Sequence, residues 1–261
     1  MSAALDTARQ EAVEVINAGG EGPVVLLCEH ASHHIPERYE GLGLAAEDRL
    51  SHAAWDPGAL GVARELSVLL DAPLIASRVS RLVYDCNRPP EAPSAMTERS
   101  EAIEVPGNRN LSEEDRSERE TSVYRPFCDS VGAVLDGRRN SRSPAVLVTV
   151  HSFTPVFHGR ERPVEIGILH DADSRVADVM LAHAGDLPHR RIARNEPYGP
   201  DDGVTHSLRL HGLSRNLPNV MIEIRNDLLT TKDDEAALAR EVMQLLVPAL
   251  DALKPGGPQD A

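Results

Sequence analysis

Residues 24–30 read VVLLCEH, which is five apolar residues followed by a glutamate and a histidine. An apolar run of this length without polar alternation is typical of a strand that is covered on both faces. The polar pair follows at the carboxyl end of that strand, where sheets of α/β proteins gather their functional residues. The stretch therefore predicts a buried sheet and a site at one of its edges.

Similar apolar runs recur along the chain. They predict further strands at residues 73–77, 145–150, 164–169 and 219–224, and helical patterns lie between them. Strands that alternate with helices favour an α/β sandwich with a mainly parallel sheet.

Capping residues mark where the predicted helices begin. Asp56-Pro57 is expected to start one helix, because aspartate is a good N-cap and proline suits the first helical position. Ser112 starts a longer helix with an opening that resembles a capping box. The last helix is expected from about 233 to 253, with Pro248 kinking it or marking its last turn.

The composition limits the class of protein. The chain has 261 residues, of which 41% are hydrophobic, so it can bury the core of one large domain. A net charge of -14 without any Lys/Arg-rich block argues against nucleic acid as a partner. No stretch approaches the roughly 20 apolar residues of a membrane helix, and the N-terminus lacks a signal-peptide pattern. With three cysteines and no CxxC, we expect reduced thiols in a soluble, cytoplasmic protein.

Two other predicted strands also end in polar residues. His151 follows the run at 145–150 and Glu223 ends the run at 219–224. Together with His30, they would place two imidazoles and a carboxylate at the same edge of the sheet. Imidazole is a good zinc ligand, and a catalytic zinc takes three protein ligands and keeps one position open. The alternative for each histidine is a strand-end residue that is hydrogen-bonded to a loop.

A second polar cluster lies within residues 77–88. Guanidinium groups bind carboxylates in a bidentate way and asparagine adds a neutral donor, so this cluster could clamp an acidic substrate. The alternative is a surface network of ion pairs. The cluster consists of Arg78, Arg81, Asp85, Asn87 and Arg88. The proline-rich segment 89–110 that follows is predicted to be a long loop, of the kind that often forms a lid.

Five motifs in this order resemble those of the N-formylglutamate amidohydrolase family. They are CEHAS at 28–32 followed by Ile35-Pro36, WDPGA at 55–59, SRLVYDCNR at 80–88, HSFTP at 151–155 and EIRND at 223–227. The resemblance implies a single catalytic domain over residues 1–261, with the three-layer αβα sandwich and mainly parallel, mixed sheet of zinc carboxypeptidases and related phosphorylase/hydrolase-like folds. It also implies hydrolysis of N-formyl-L-glutamate to L-glutamate and formate.

The resemblance assigns roles to individual residues. His30 and His151 match the metal ligands, Asp56 is the favoured third ligand, and Zn²⁺ is the expected ion, although another divalent metal would also suit. Glu223 matches the general base. The candidates for binding substrate are Arg81, Asn87, Arg88, Arg225 and His206.

The third ligand stays open at this point. Asp56 serves equally well as the N-cap of the helix that follows it. Glu29 is a weaker candidate, because it neighbours His30 and adjacent strand residues point to opposite faces.

The other histidines carry less information. His206 and His211 lie near a family-like stretch at 195–198 and could touch substrate. The remaining candidates for plain surface residues are His52, His158, His183 and His189.

Two other functions are compatible with parts of the sequence. One is a cysteine nucleophile, Cys28 or Cys86, activated by a histidine. The other is a binding protein that holds carboxylates without chemistry, against which Glu223 argues because like charges repel. The partner in the favoured interpretation is a small N-acyl amino acid. Its acyl group, its amino acid and the oligomeric state of the protein are left open.

Overall fold

A seven-stranded sheet forms the centre of the molecule. The computed structural model describes residues 11–138 and 145–254, which form eleven strands. The strands are β1 (Val13–Ile16), β2 (Val24–Cys28), β3 (Leu74–Ser77), β4 (Arg99–Ser100), β5 (Ile103–Glu104), β6 (Val146–Phe153), β7 (Val156–Phe157), β8 (Arg160–Glu161), β9 (Ile166–Leu169), β10 (Ile192–Arg194) and β11 (Asn219–Arg225).

The strand order of the main sheet is β1-β3-β2-β6-β11-β9-β10. The inner strands β3, β2, β6 and β11 run parallel to one another, and β10 runs parallel to β9. β1 is antiparallel to β3, and β9 is antiparallel to β11. The mainly parallel, mixed sheet and the α/β class predicted from the sequence are therefore confirmed. The edge strands β1 and β10 were not predicted, because Glu14 interrupts β1 and β10 has only three residues, so neither forms an apolar run.

Helices cover both faces of the sheet. They are α1 (Ala46–Leu50), α2 (Ala59–Leu69), α3 (Glu113–Arg119), α4 (Arg125–Gly137), α5 (Arg175–Ala182) and α6 (Lys232–Ala252). α2, α5 and α6 pack together on one face, and α4 packs on β1, β2 and β3 from the other. The result is three layers. None of the helices in residues 11–138 and 145–254 has the length and apolar character needed to cross a bilayer.

Strand β2 shows why the central strands are continuously apolar. Val24, Leu26 and Cys28 belong to the core beneath α2 and α6, whereas Val25 and Leu27 belong to the core on the α4 side. Alternate residues of a strand point to opposite faces, so a strand with a core on each side needs apolar residues at every position.

The start of α2 corrects one prediction. The helix begins at Ala59, and its N-cap is Gly58 at φ 80°, with no side-chain cap. A Cβ on Gly58 would lie 2.3 Å from the Cβ of Leu229, so both the backbone angle and the space require glycine here. The N-cap interpretation of Asp56 is therefore wrong, and its carboxylate is available for other contacts.

The two other predicted helix starts agree better with the structure. Ser112 forms a capping box with Asp115 at the start of α3. α6 begins at Lys232 with Thr231 as its capping residue, one position before the predicted start. Pro248 lies inside α6, near its C-terminal end.

The segment 89–110 is more ordered than the predicted loop. It contains the β4–β5 hairpin and two short 3-10 turns, at Pro93–Met96 and Pro106–Asn108. Asn108 ties it to the domain: its Nδ2 donates to the carbonyl of Leu82 at 2.8 Å, and its Oδ1 accepts from Arg119 at 2.6 Å.

Substitution of Leu66 by alanine tests the packing of α2. Leu66 is fully buried against the sheet and α6, so Leu66→Ala should lower the free energy of unfolding by about 2–5 kcal/mol. Val68 on the same helix is 77% exposed, and Val68→Ala should change it by less than about 0.5 kcal/mol. Urea denaturation measures both. Equal effects of the two substitutions would contradict this packing.

Candidate active site

A cavity of about 360 Å³ lies at the carboxyl ends of β2, β6 and β11. These three strands are parallel neighbours, so their ends meet at the same edge of the sheet. The cavity is lined by His30, His52, Ala53, Asp56, Arg81, Asn87, Arg88, Ser100, Glu101, His151, Ser152, Phe153, Thr154, Phe157, Tyr198, Asp202, Val204 and Glu223. Seven of the nine residues that the sequence singled out are in this set.

Three buried side chains converge at the bottom of the cavity. The Nδ1 atoms of His30 and His151 lie 3.2 and 3.0 Å from the same oxygen, Oδ2 of Asp56, and 3.2 Å from each other. One ligand atom from each residue lies within 4.8 Å of the other two. Glu29, the weaker candidate for third ligand, is not part of this group.

Backbone contacts hold Asp56 in this position. Its amide donates to the carbonyl of His30 at 2.9 Å, which binds the 53–57 loop to the end of β2. On the other side, the Ser152 amide donates to Asp56 Oδ2 at 3.3 Å, and the Ser152 hydroxyl donates to the carbonyl of Pro57 at 2.7 Å. The loop is therefore fixed between β2 and β6.

The chemistry of this group fits a divalent cation. Two imidazole nitrogens and one carboxylate oxygen form a common ligand set for catalytic zinc. When each Nδ1 presents a lone pair, the two nitrogens, 3.2 Å apart, repel each other and the carboxylate oxygen of Asp56 that both of them face. A cation between the three atoms would remove this conflict.

Two carboxylates lie behind the two histidines, a position that the sequence predicted for neither of them. Asp85 Oδ1 lies 2.7 Å from His30 Nε2, and Glu29 Oε2 lies 3.1 Å from His151 Nε2. Burial raises the pKa of the Asp85 carboxyl, but the neighbouring charges of His30 and Arg81 outweigh it and hold that pKa well below its ordinary value. The sequence does mark both carboxylates as possible site residues, since Asp85 lies in the 80–88 motif and Glu29 precedes His30.

The predicted carboxylate clamp is only partly available for substrate. Arg81 is paired with two buried carboxylates, Asp85 at 2.8 Å and Asp56 at 3.4 Å. Asn87 uses its amide to anchor residues 204–207: Nδ2 donates to the Val204 carbonyl at 2.6 Å, and Oδ1 accepts from the Ser207 amide at 2.9 Å.

Arg88 is different. It donates to the carbonyls of Gly203 and Asn87 and has no carboxylate partner among the residues that the structure describes. Arg88 is thus the member of the clamp whose charge is left for a ligand.

Glu223 lies on β11 directly opposite His151 of β6. Its side chain is buried, and Oε2 has no hydrogen-bond partner within the described residues. Burial raises the pKa of this carboxyl to about 7. Glu223 forms no ion pair with Arg81 or Arg225, because both guanidinium groups are bonded to other carboxylates.

Arg225 and His206 do not line the cavity. Arg225 lies beside the start of β9, where it bonds to Asp227 at 2.8 Å and to the carbonyl of Arg162 at 3.1 Å. His206 points at Tyr124, with 2.8 Å between Nε2 and the hydroxyl. The sequence placed both near family-like motifs but could not give the direction of their side chains.

Two other histidines also differ from expectation. His52, predicted as a surface residue, lines the cavity and lies 2.6 Å from Glu101 of the β4–β5 hairpin. His211 is buried within the turn Leu208–Gly212 and does not line the cavity.

The thiols of Cys28 and Cys86 are buried, and this burial raises the pKa of each well above its ordinary value. The nucleophilic form of cysteine is the thiolate, so neither residue has the environment of a catalytic cysteine.

Comparison with known proteins points in one direction. Residues 22–230 match the family described as N-formylglutamate amidohydrolase. No curated protein matches the chain at a significant level. A gene product of Agrobacterium tumefaciens has a similar solved structure, with a TM-score of 0.92 and 53% identity over 95% of this chain and 98% of its own. The N-formylglutamate amidohydrolase of Ralstonia eutropha shares the fold, with a TM-score of 0.71 and 16% identity over 92% and 97% of the two chains.

We expect the converging group to bind one divalent metal ion per chain. The double variant His30→Ala/His151→Ala removes two of its three ligand atoms and should lose the ion, as measured by elemental analysis. The matched control is His183→Ala/His189→Ala, which removes two exposed histidines from another part of the surface and should keep the ion. Full metal occupancy in the first variant would show that the ion binds elsewhere.

Proposed function

The chain belongs to the N-formylglutamate amidohydrolase family, and from this premise we propose that it hydrolyses the amide bond of an N-acyl amino acid with the help of a divalent metal ion. The proposed substrate is N-formyl-L-glutamate, which gives L-glutamate and formate, and the proposed ion is Zn²⁺. The observation that carries the proposal is the convergence of His30, Asp56 and His151 in one cavity, with Glu223 beside them.

The charges around the group support a cation. The carboxylates of Glu29, Asp56, Asp85 and Glu223 are all buried, and the nearby guanidinium that balances them is that of Arg81. Buried carboxylates are costly unless they are paired or coordinate a metal. A divalent ion held by the three residues would polarise the substrate carbonyl and make water more acidic.

Glu223 is suited to move the proton that hydrolysis requires. Water must lose a proton as it attacks the amide carbon, and the leaving nitrogen must gain one as the C–N bond breaks. A base with a pKa near the working pH can do both. Glu223 is buried at the end of a central strand, has an oxygen without a partner and has a pKa of about 7.

Arg88 is the proposed binding group for the α-carboxylate. It lies in the cavity wall, its position is fixed by the Gly203 carbonyl at 2.6 Å, and its charge has no other carboxylate partner among the described residues. The cavity volume of about 360 Å³ suits a small molecule. Arg81 and Asn87, in this proposal, build the wall and do not bind the carboxylate directly.

Glu223 also argues against a protein that only binds carboxylates. A buried acid that faces the ligand repels it and offers no compensating contact. The cytoplasmic location and the single catalytic domain over residues 1–261 stay predictions from the sequence.

The function as a whole is tested by a hydrolysis screen over N-acyl amino acids with the metal-loaded protein. We expect turnover of N-formyl-L-glutamate that disappears when a chelator removes the ion and returns when Zn²⁺ is added. Activity that survives complete removal of metal would contradict the proposal.

Substitution of Arg88 tests substrate binding. Arg88→Ala should abolish the preference for free acids over the corresponding amides, at a cost of about 2–5 kcal/mol in the binding of the acid. The control is Arg99→Ala, which removes a 63% exposed arginine that does not line the cavity. Comparison of kcat/KM for an acid and its amide measures the effect. An equal loss for both substrates would place the carboxylate elsewhere.

Substitution of Glu223 tests the base. Glu223→Gln should keep its metal and its melting temperature while turnover falls at least about a hundredfold. A melting temperature that falls together with turnover would instead indicate a structural role.

The pH dependence has a defined sign. Glu223 acts as a base only when it is deprotonated, so kcat/KM should rise with pH and level off at or below about 7, because a bound cation lowers the pKa. Below that pKa, kcat/KM should fall about tenfold for each pH unit, and the Glu223→Gln variant should not show this acidic decrease. An unchanged decrease of kcat/KM at low pH in the variant would show that another group causes it.

A further inference from the structure

Two buried carboxylates lie on the far side of the metal-site histidines. Asp85 Oδ1 is 2.7 Å from His30 Nε2, and Glu29 Oε2 is 3.1 Å from His151 Nε2. We propose that Asp85 and Glu29 are positioning residues, which hold the two rings so that both Nδ1 atoms face a single cation. This inference rests on the metal site of the proposed function and extends it to residues that do not touch the ion.

The location of one proton on each ring explains the effect. A neutral imidazole carries a proton on one nitrogen and a lone pair on the other, and a hydrogen-bond acceptor at one nitrogen draws the proton there. Asp85 accepts a hydrogen bond at His30 Nε2, and the negative charge of Glu29, 3.1 Å from His151 Nε2, favours a proton there as well. The lone pairs are therefore left on the two Nδ1 atoms. The two Nδ1 atoms lie 3.2 Å apart and share Asp56 Oδ2, which is the arrangement that a cation needs.

Asp85 is held firmly for this task. Its Oδ2 is paired with Arg81 at 2.8 Å, and its Oδ1 also accepts from the amide of Asn87 at 2.9 Å. Arg81 also pairs with Asp56, at 3.4 Å. The same guanidinium therefore holds both Asp56, a proposed metal ligand, and Asp85, the carboxylate behind His30.

Glu29 has few contacts other than His151. Its side chain is fully buried, and neither oxygen makes a hydrogen bond of normal geometry within the described residues. The position opposite His151 Nε2 also places it behind the ring, so it does not compete with Asp56 for the ion. Burial raises the pKa of the Glu29 carboxyl, but the neighbouring charge of His151 outweighs it and lowers that pKa below its ordinary value. The contribution of Glu29 therefore comes from what it does to His151.

A structural role and a positioning role predict different results for Glu29→Gln. If Glu29 held the fold together, the metal-free variant would melt at a lower temperature and bind metal normally. As a positioning residue, Glu29 is also needed for metal binding, whatever the substitution does to the metal-free melting temperature. The affinity for metal should fall, since outer carboxylates of this kind are worth about 10–100-fold in metal binding.

The experiment measures the Zn²⁺ dissociation constant of the full chain by competition with a chromophoric chelator at fixed pH, together with the melting temperature of the metal-free protein. Glu29→Gln and Asp85→Asn should each weaken Zn²⁺ binding by about 10–100-fold. The matched control is Glu101→Gln. Glu101 also pairs with a histidine of the cavity wall, His52 at 2.6 Å, but that histidine is outside the converging group, so the affinity should not change.

A second measurement reports the geometry directly. In the Co²⁺-loaded protein, the visible absorption bands depend on how the ligands surround the ion. We expect these bands to shift in Glu29→Gln and to stay unchanged in Glu101→Gln.

The outcomes separate this inference from the proposed function. If the unaltered chain binds no divalent ion, the metal site and the positioning role are both wrong. If it binds Zn²⁺ and both Glu29→Gln and Asp85→Asn retain its affinity, the positioning role is wrong and the metal site stands. A lower metal-free melting temperature of Glu29→Gln with unchanged affinity would likewise overturn the positioning role and make Glu29 structural.

Discussion

One oxygen atom of Asp56 joins three separate parts of the chain. It lies within 3.2 Å of the imidazoles of His30 and His151, and it accepts from the Ser152 amide. Asp56 lies in the loop just before α2, and in space this loop lies between β2 and β6. Gly58 is the N-cap of α2, so the carboxylate of Asp56 does not cap the helix and can contact the histidines. If this carboxylate pointed to the helix as a cap, the two histidines would face each other without a common partner.

The sheet brings these groups together because its central strands are parallel. β2, β6 and β11 deliver His30, His151 and Glu223 to the same edge, and in-register pairing sets His151 opposite Glu223. Apolar cores on both faces make this edge rigid, so the charged side chains mounted on it are held in place. Such rigidity is what a site needs when its reactive groups must keep fixed distances.

Much of this arrangement was predictable from local sequence. The apolar runs identified the five inner and near-inner strands, and the residues after them identified the two histidines and Glu223. Edge strands β1 and β10 were missed, since β1 contains a glutamate among its apolar residues and β10 has only three residues. The residues of the clamp were predicted, but their partners were not. Arg81 pairs with Asp56 and Asp85, Asn87 anchors a loop, and Arg88 has no carboxylate partner among the described residues.

The sequence by itself determined the α/β class, the order of the motifs and the residue types that meet at the site, because apolar periodicity and capping are local properties of a chain. Tertiary structure decided the direction of each side chain and the partner that it meets. Arg225 and His206 point away from the cavity, whereas His52 lies in its wall. Glu29 and Asp85 lie behind the two histidines. These contacts join residues tens of positions apart, and their burial and distance exist only once the layers have packed.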